Sequence, residues 1–363
     1  MISRTLGVAR LVGGLATPAV VKDRPEPAPA PAEAARPPAP AAPTGEPGQA
    51  PAATPVAPPP AALVPAATPK LVGSGFRFTE GPLWRDGTLL FSDIDANTIY
   101  TIRPEDEPAR PGDAERFRTP SGSANGNTLD GKGRLITAQH DGKLTRTEAD
   151  GSVTVLASKY EGKRLNSPND VVVHSGGAIY FTDPSFGVSR AERQLDFCGV
   201  FRLVPAEEPG GEHTLTLLTR DLQLPNGLAF SPDEKRLYVT DHRKAEIHAF
   251  DVGADGNLSN GRLFVDLKAP PTRGATDGMK VDSKGNIYAT GPGGVWVVSP
   301  EGEKLGRIPV QGPTNVGFGG DDARTLYITA GERIYSVPLA TPGVLPGPER
   351  AGAPPAAPLG TGR

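Results

Sequence analysis

The sequence predicts an all-β fold, a six-bladed β-propeller of four-stranded antiparallel blades preceded by a disordered Pro/Ala-rich segment. The first observation is that Val, Ile, Leu, Tyr and Phe occur in short runs separated by Gly and Asp-Gly, and that no long segment has a helical period. The second is that one residue pattern recurs six times between positions 71 and 339. The third is the spacing of equivalent residues, 45, 44, 57, 51 and 38 positions, which is typical of propeller blades of ~40 to 50 residues.

Each copy of the pattern has a polar residue at its second position that is usually followed by Gly or Asp. A short apolar strand, a tight polar turn and a second β-rich strand come next, and after most copies a third strand follows, such as NTIYTI or GVWVVS. The six copies are TEGPLWRDGTLLFSD from Thr79, ANGNTLDGKGRLITAQ from Ala124, PNDVVVHSGGAIYFTD from Pro168, PNGLAFSPDEKRLYVTD from Pro225, TDGMKVDSKGNIYATG from Thr276 and TNVGFGGDDARTLYITA from Thr314. We interpret each copy as one blade.

Pro and Ala dominate the chain before the repeats, and residues 25–69 hold 16 of the 41 prolines. Such a segment cannot bury enough apolar surface to offset the entropy lost on ordering. Residues 1–69 are therefore predicted to be disordered, residues 70–341 to form the propeller, and residues 342–363 to be a disordered tail. The prediction confines the core to the repeat region.

Residues 1–22 have a basic start and a loosely apolar middle that Arg10 interrupts. They are either a degenerate export signal, which implies a periplasmic or secreted protein, or the unstructured N-terminus of a cytoplasmic one. The 38 Lys and Arg against 41 Asp and Glu give no strong field for nucleic acid, and no run of ~18 apolar residues suggests a membrane span. The single cysteine, Cys198, matches no disulfide, metal or redox pattern. A small-molecule ligand fits these properties.

The second residue of each copy, here called its anchor, carries a side-chain oxygen. The anchors are Glu80, Asn125, Asn169, Asn226, Asp277 and Asn315. Taken singly, Asn-Gly and Asp-Gly are common turn residues. In PNGLAFSPDEKRLYV, however, the hairpin turn is SPDEK, so Asn226 precedes the first strand and a hairpin does not require it. In a propeller, equivalent residues at one end of the innermost strands converge on the central axis.

Six oxygen donors around one axis suit a hard divalent cation. The carboxylates of Glu80 and Asp277 would balance its two charges, and they would be costly to bury without it. Ca²⁺ is the expected ion because it tolerates irregular geometry and neutral donors. Zn²⁺, Mn²⁺ and Mg²⁺ remain alternatives, although the anchors include none of the His or Cys ligands that Zn²⁺ usually has.

Five stretches within the repeats carry a family resemblance. They are FTEGPLW from Phe78, KRLNSPNDVVV from Lys163, AIYFTDPSFG from Ala178, LPNGLAFSPDEKRLYVTD from Leu224 and TDGMKVDSKGNIY from Thr276. The set resembles the family of regucalcin and the bacterial gluconolactonases, six-bladed propellers that hydrolyse lactones with a divalent metal. By position, the resemblance implies that the metal ligands are Glu80, Asn169, Asn226 and Asp277. It leaves Asn125 and Asn315 as contacts to substrate or water.

The implied reaction opens the ester ring of a sugar lactone such as gluconolactone, by metal polarisation of the carbonyl and carboxylate-assisted attack of water. The resemblance implies Asp277 as the base, although a carboxylate held by Ca²⁺ is a weaker base and the metal's effect on the water could carry part of the work. His140 is predicted either to bind substrate or shuttle a proton, or to cap a turn. Arg164 is predicted either to pair with a polar substrate group or to be solvated.

Two other functions fit the same sequence. A non-catalytic propeller could bind a protein or peptide, although such a scaffold has no need of acidic and amide oxygens on its axis. A Ca²⁺-dependent esterase or phosphotriesterase would share the ligand pattern and differ in its substrate. The chain has no G-x-S-x-G elbow, P-loop or dinucleotide-binding glycine pattern. Asp93, Asp183 and Asp241, at the ends of second strands, are predicted to make turn hydrogen bonds.

Overall fold

The structure is a computed structural model that describes residues 56–104, 107–206, 211–272 and 274–348. The two interpretations of residues 1–22, the predicted disorder before residue 56 and the part of the predicted tail beyond residue 348 lie outside these residues. Residues 342–348, which are also part of the predicted disordered tail, instead bond to the propeller: the Gly343 N–H donates to the Ala323 carbonyl at 2.8 Å and the Val344 N–H to the Val281 carbonyl at 3.2 Å. The described chain consists of strands, turns and loops, with a short 3₁₀ turn at His242–Lys244. No helix within the described ranges has the length and apolar composition required for a membrane crossing.

The described strands form six four-stranded antiparallel sheets, which confirms the predicted propeller. Strand β1 (Lys70–Ser74) precedes blade 1, which is β2 (Thr79–Arg85), β3 (Thr88–Asp93), β4 (Thr98–Ile102) and β5 (Glu115–Arg118). Blade 2 is β6 (Ala124–Leu129), β7 (Leu135–Gln139), β8 (Lys143–Thr147) and β9 (Val153–Ala157), and a hairpin of β10 (Lys159–Tyr160) and β11 (Lys163–Arg164) follows. Blade 3 is β12 (Val171–Val173), β13 (Ile179–Asp183), β14 (Gly199–Val204) and β15 (Thr214–Thr219). Blade 4 is β16 (Pro225–Phe230), β17 (Arg236–Asp241), β18 (Glu246–Val252) and β19 (Leu258–Asp266). Blade 5 is β20 (Met279–Val281), β21 (Ile287–Gly291), β22 (Gly294–Val298) and β23 (Lys304–Ile308), and blade 6 adds β24 (Asn315–Gly319), β25 (Thr325–Ala330) and β26 (Arg333–Pro338) to β1.

Blade 6 closes the ring by combining the two ends of the repeat region. Strand β1 pairs antiparallel with β26, from Lys70 opposite Ser336 to Ser74 opposite Arg333. The first strand of every blade contacts the first strands of both neighbouring blades, so these six strands surround the central axis. The sixth sequence copy supplies only three strands because its fourth lies ahead of the first copy.

The hydrophobic core lies between neighbouring blades. Side chains alternate between the two faces of a strand, and each face packs against the next sheet. Between blades 5 and 6, Tyr288 packs with Val316 and Ile328, and between blades 6 and 1 Trp84 stacks on Tyr327 with ring centroids 5.5 Å apart. This lateral packing fixes each blade against its neighbours and therefore fixes where the innermost strands begin.

The described end of the Pro/Ala-rich segment packs against blades 5 and 6. Val64 is 2% exposed and belongs to the core cluster between these blades. The Arg307 N–H donates to the Ala57 carbonyl at 3.0 Å. Residues 56–69 belong to the segment that its composition predicts to be disordered, but the apolar pair Leu63-Val64 gives this stretch surface to bury, and burying it offsets part of the ordering entropy.

Candidate functional site

The six anchors stand at equivalent positions around the axis. Glu80, Asn125 and Asn226 are the second residues of β2, β6 and β16, Asn315 begins β24, and Asn169 and Asp277 stand two residues before β12 and β20. Asp277 is half-buried, and the other five anchors are at most 4% exposed. In blades 1, 2 and 4 the pairing of the first two strands shifts register directly at the anchor. Such bulges redirect a side chain out of the regular alternation.

The Ser-Asp and Thr-Asp pairs that end second strands hold the anchors in place. The hydroxyl of each pair reaches the next blade: Ser92 donates to the Asn125 carbonyl at 2.8 Å, Thr182 to that of Asn226 at 2.7 Å, and Thr240 to that of Asp277 at 2.9 Å. The carboxylate accepts backbone N–H groups just before its own blade's anchor: Asp93 from Phe78, Asp183 from Asn166, and Asp241 from Gln223. The predicted hydrogen-bonding role of these aspartates is confirmed.

Glycine follows four of the anchors because the next blade approaches too closely for a side chain. A Cβ atom at Gly227 would overlap the Asp277 carbonyl oxygen, and one at Gly126 would lie 2.6 Å from that of Asn169. Gly81 and Gly278 are confined in the same way by the Asn125 carbonyl and the Asn315 side chain. The Asn-Gly and Asp-Gly pairs are therefore blade contacts as well as turn residues.

Gly227→Ala is expected to destabilise the propeller by about 1 to 3 kcal/mol, because the added methyl group must displace the backbone of blade 5. Thermal or denaturant unfolding measures the effect. Gly112→Ala is the matched control, since a Cβ atom at Gly112 meets no described atom within 4 Å. Equal stability of the two variants would contradict this account of the repeat.

Glu80 and Asn315 form one side-chain pair of the site. The Asn315 amide Nδ2 donates to Glu80 Oε2 at 2.9 Å, and the Gly81 N–H donates to the same oxygen at 2.8 Å. Asn315 Oδ1 accepts the Val316 N–H at 2.8 Å. Because both polar ends of this amide are engaged within the protein, its clearest contribution is to orient the Glu80 carboxyl group; the predicted substrate contact of Asn315 stays a prediction.

In two other anchors, the side-chain amide is hydrogen-bonded to a histidine ring, which the repeat pattern does not predict. Asn125 Nδ2 lies 3.0 Å from His140 Nε2, and Asn226 Nδ2 lies 3.3 Å from His242 Nδ1. An amide nitrogen can only donate, so each ring nitrogen accepts. The two amide oxygens are buried and have no hydrogen-bond partner among the described residues. A buried oxygen without a partner costs about 1 to 3 kcal/mol, which favours a bound ligand there.

His242 is a site residue that the anchor pattern does not include. The available signal is its position: His140 and His242 each come directly after the second strand of a blade, and each follows its anchor asparagine by 15 or 16 residues. Burial lowers the pKa of His140 to about 4 and also lowers the pKa of His242. Both rings are therefore neutral at pH 7 and can accept the amide hydrogen bonds.

Three carboxyl groups come together at this end of the channel. Burial raises the pKa of Glu80 to about 7, against the opposing hydrogen bonds from Asn315 and Gly81. Burial raises the pKa of Asp277 well above its usual value, and the charges of Glu80 and Asp170 add to the effect. Asp170 is 1% exposed and is not one of the predicted site residues, because it follows the anchor Asn169 in the sequence and does not occupy an anchor position. Because the three carboxyl groups interact in a largely buried site, ionising all of them costs free energy.

Arg164 and the loop after β13 surround the anchors of blades 2 to 4. The Arg164 guanidinium donates to the carbonyls of Leu165 and Asn166 at 3.0 and 2.8 Å, so it supports the chain leading to Asn169. In the loop, Gly187 packs directly on His140 and the Phe186 ring meets His242 edge to face at 5.1 Å. The predicted substrate contacts of Arg164 and His140 are not tested by this geometry and stay predictions.

The donor set fits a hard divalent cation. Within the described ranges, no group of three or more His, Cys, Asp or Glu side chains has the geometry of a metal site by itself. A cation here would therefore depend on amide oxygens, and the unpartnered Asn226 Oδ1 beside the carboxyl groups of Glu80 and Asp277 is such a donor. Carboxylate and amide oxygens are ligands that hard divalent cations take in proteins.

Known proteins share this architecture over most of the chain. Residues 78–332 match the family described as the SMP-30/Gluconolactonase/LRE-like region. The chain is 33% identical over 303 residues to a gluconolactonase of Zymomonas mobilis, covering 76% of this chain and 82% of that protein. It is 27% identical over 268 residues to regucalcin of Xenopus laevis, covering 72% and 85%. A solved gluconolactonase structure from Xanthomonas campestris aligns with 33% identity and a TM-score of 0.66, covering 79% of this chain and 98% of that one.

Proposed function

The chain belongs to the SMP-30/gluconolactonase/LRE-like family, as its motifs predicted, and we propose that it hydrolyses the ester ring of a sugar lactone such as gluconolactone. The observation that carries the proposal is the pair of interacting carboxyl groups, buried Glu80 and half-buried Asp277, beside the unpartnered oxygen of Asn226. Lactones are cyclic carboxylic esters, so the chain is an ester hydrolase. The names of its gluconolactonase relatives support this class of substrate.

Glu80, Asn169, Asn226 and Asp277 would hold one divalent cation, with Ca²⁺ the best fit to their oxygens. When bound, such a cation supplies a Lewis acid that polarises the ester carbonyl and lowers the pKa of a water molecule. Asn315 orients Glu80 through its hydrogen bond, and His242 occupies the Asn226 amide nitrogen so that the amide oxygen is left for a ligand. The hydroxyl bonds from neighbouring blades keep these groups in position.

Asp277 is the proposed base, and it takes the proton of the attacking water. It is the one half-buried anchor, whereas the others are almost fully enclosed, so it can reach a water molecule that enters with the substrate. Asn125 has an amide oxygen ready to accept a hydrogen bond from a sugar hydroxyl, and neutral His140 fixes its orientation. Together with Arg164 and Asn315, they form the proposed contacts to the lactone.

The direct test is a pH-indicator screen of sugar and aliphatic lactones with the purified chain, because ring opening releases an acid. We expect turnover of at least one sugar lactone, complete loss of turnover in excess chelator, and recovery on adding Ca²⁺ or another of the four candidate cations. Paraoxon-like phosphotriesters and aryl esters belong in the same screen, since they would reveal the alternative activity. Full lactone turnover in excess chelator would contradict the metal-dependent mechanism.

A further inference from the structure

Blade 3 departs from the repeat at the residue after its anchor. Four of the anchors are followed by Gly, but Asn169 is followed by Asp170, whose side chain lies inside the ring of first strands and is 2% exposed. Its Oδ1 accepts the Val171 N–H at 2.9 Å. Its Oδ2 is buried and accepts no hydrogen bond from the described residues. A carboxylate oxygen in that position is costly unless a charge stabilises it.

Lys280 supplies a positive charge next to that oxygen. Its Nζ lies 3.5 Å from Asp170 Oδ2 and also donates to the Met279 carbonyl at 3.0 Å. The lysine comes from the first strand of blade 5 and lines a cavity of 240 Å³ that the later residues of all six first strands surround. The amine therefore approaches the acidic cluster from the side of the channel opposite the anchors.

These charges have a simple balance. Glu80, Asp277 and Asp170 contribute three negative charges when ionised, and Lys280 contributes one positive charge. Asp170 acts electrostatically on both other carboxyl groups, and Lys280 acts on Glu80, so the four groups form one interacting set. The sum is two negative charges, which matches one divalent cation.

We propose that Lys280 neutralises the buried charge of Asp170 beside the cation site, so that the net charge of the site stays at two negative charges and matches a divalent ion. The inference rests on the proposed function, since it requires a cation among the anchors. Asp170 and Lys280 are positioning residues here and do not touch the substrate. Both act over distance through a poorly screened interior, where charges several ångströms apart still interact strongly.

The charge balance predicts effects of opposite sign. Asp170→Asn, which keeps the shape of the side chain, removes one negative charge and is expected to weaken Ca²⁺ binding by at least about tenfold. Lys280→Met removes the positive charge and is expected to tighten Ca²⁺ binding by a similar factor. The double variant is expected to bind close to the wild type. A purely structural role for the pair would instead make both single variants bind more weakly.

Calcium titration calorimetry on the full chain, together with thermal unfolding in chelator, tests the proposal. In chelator, Asp170→Asn is expected to melt higher than Lys280→Met, because the empty cluster then carries less repulsion. Lys284→Met is the matched control: it removes an exposed lysine of the same blade and should leave binding unchanged. If Asp170→Asn does not fold, the tighter Ca²⁺ binding expected for Lys280→Met tests the proposal by itself.

Unchanged or weaker Ca²⁺ binding by Lys280→Met would overturn the charge-balance proposal and leave the metal-dependent function intact. Failure of the wild-type chain to bind Ca²⁺, Zn²⁺, Mn²⁺ or Mg²⁺ would instead remove the proposed function, and the charge-balance proposal with it. The two failures are therefore distinguishable in one set of titrations.

Discussion

Asp277→Asn is expected to fold like the wild type and to lose about 10²- to 10⁴-fold in lactone turnover, the range typical of a lost general base. The asparagine keeps the size of the side chain and an oxygen donor, but it cannot take a proton. It also removes one of the charges that raise the energy of the empty site, so the melting temperature in chelator should rise. The measurement is kcat at saturating lactone and saturating Ca²⁺, which separates weaker metal binding from slower chemistry.

The matched control for this substitution is Asp93→Asn in blade 1. Asp93 accepts backbone N–H groups from Arg77, Phe78 and Ala96, so it holds the chain ahead of Glu80 without belonging to the acidic cluster. Loss of one acceptor oxygen should cost about 1 to 3 kcal/mol of stability and leave turnover per folded molecule near the wild-type value. If Asp277→Asn turned over lactone as fast as Asp93→Asn, the assignment of the base would be wrong.

The fold could be predicted because its repeat is carried by local chemistry. The Gly after an anchor and the Ser-Asp or Thr-Asp pair at the end of a second strand are both visible in the sequence, and both make contacts between or within blades. Residues 56–69 could not be predicted in the same way. Their composition indicates disorder, and only the surface of blades 5 and 6 explains why Val64 is buried.

The site was predictable only as far as the repeat extends. The positions of Glu80, Asn226 and Asp277 follow from their equivalent places in the copies. His242 and Asp170 are not anchors, and their importance depends on distances between blades, which no single copy encodes. The same limit applies to Asn315: its place in the pattern matches the other anchors, but its hydrogen bonds direct it to Glu80.

In chelator, the contribution of Glu80 to the stability of the protein, measured as the difference between the wild type and Glu80→Gln, is expected to fall as the pH rises from about 4.5 to about 7. Glu80 has a pKa of about 7 in the folded protein and 4.5 as an isolated side chain, so between these values the folded state binds more protons than the unfolded state. The stability that Glu80 contributes in its protonated form is therefore fully present below pH 4.5 and is lost as the pH rises through 7. The shift corresponds to an effect on the order of 3 kcal/mol.

Bound Ca²⁺ should oppose this loss of stability, because the cation binds the ionised carboxyl groups. Its stabilisation of the folded state should therefore increase as the pH rises and the carboxyl groups lose their protons. The difference in melting temperature between samples with Ca²⁺ and samples with chelator should widen from pH 5 to pH 8. Glu80→Gln keeps the acceptor for the Asn315 and Gly81 hydrogen bonds but cannot ionise, so it should narrow that difference and flatten the pH dependence in chelator. A difference that stays constant across this pH range in the wild type would mean that proton release at Glu80 is not linked to cation binding, and Glu80 would then have no place among the ligands.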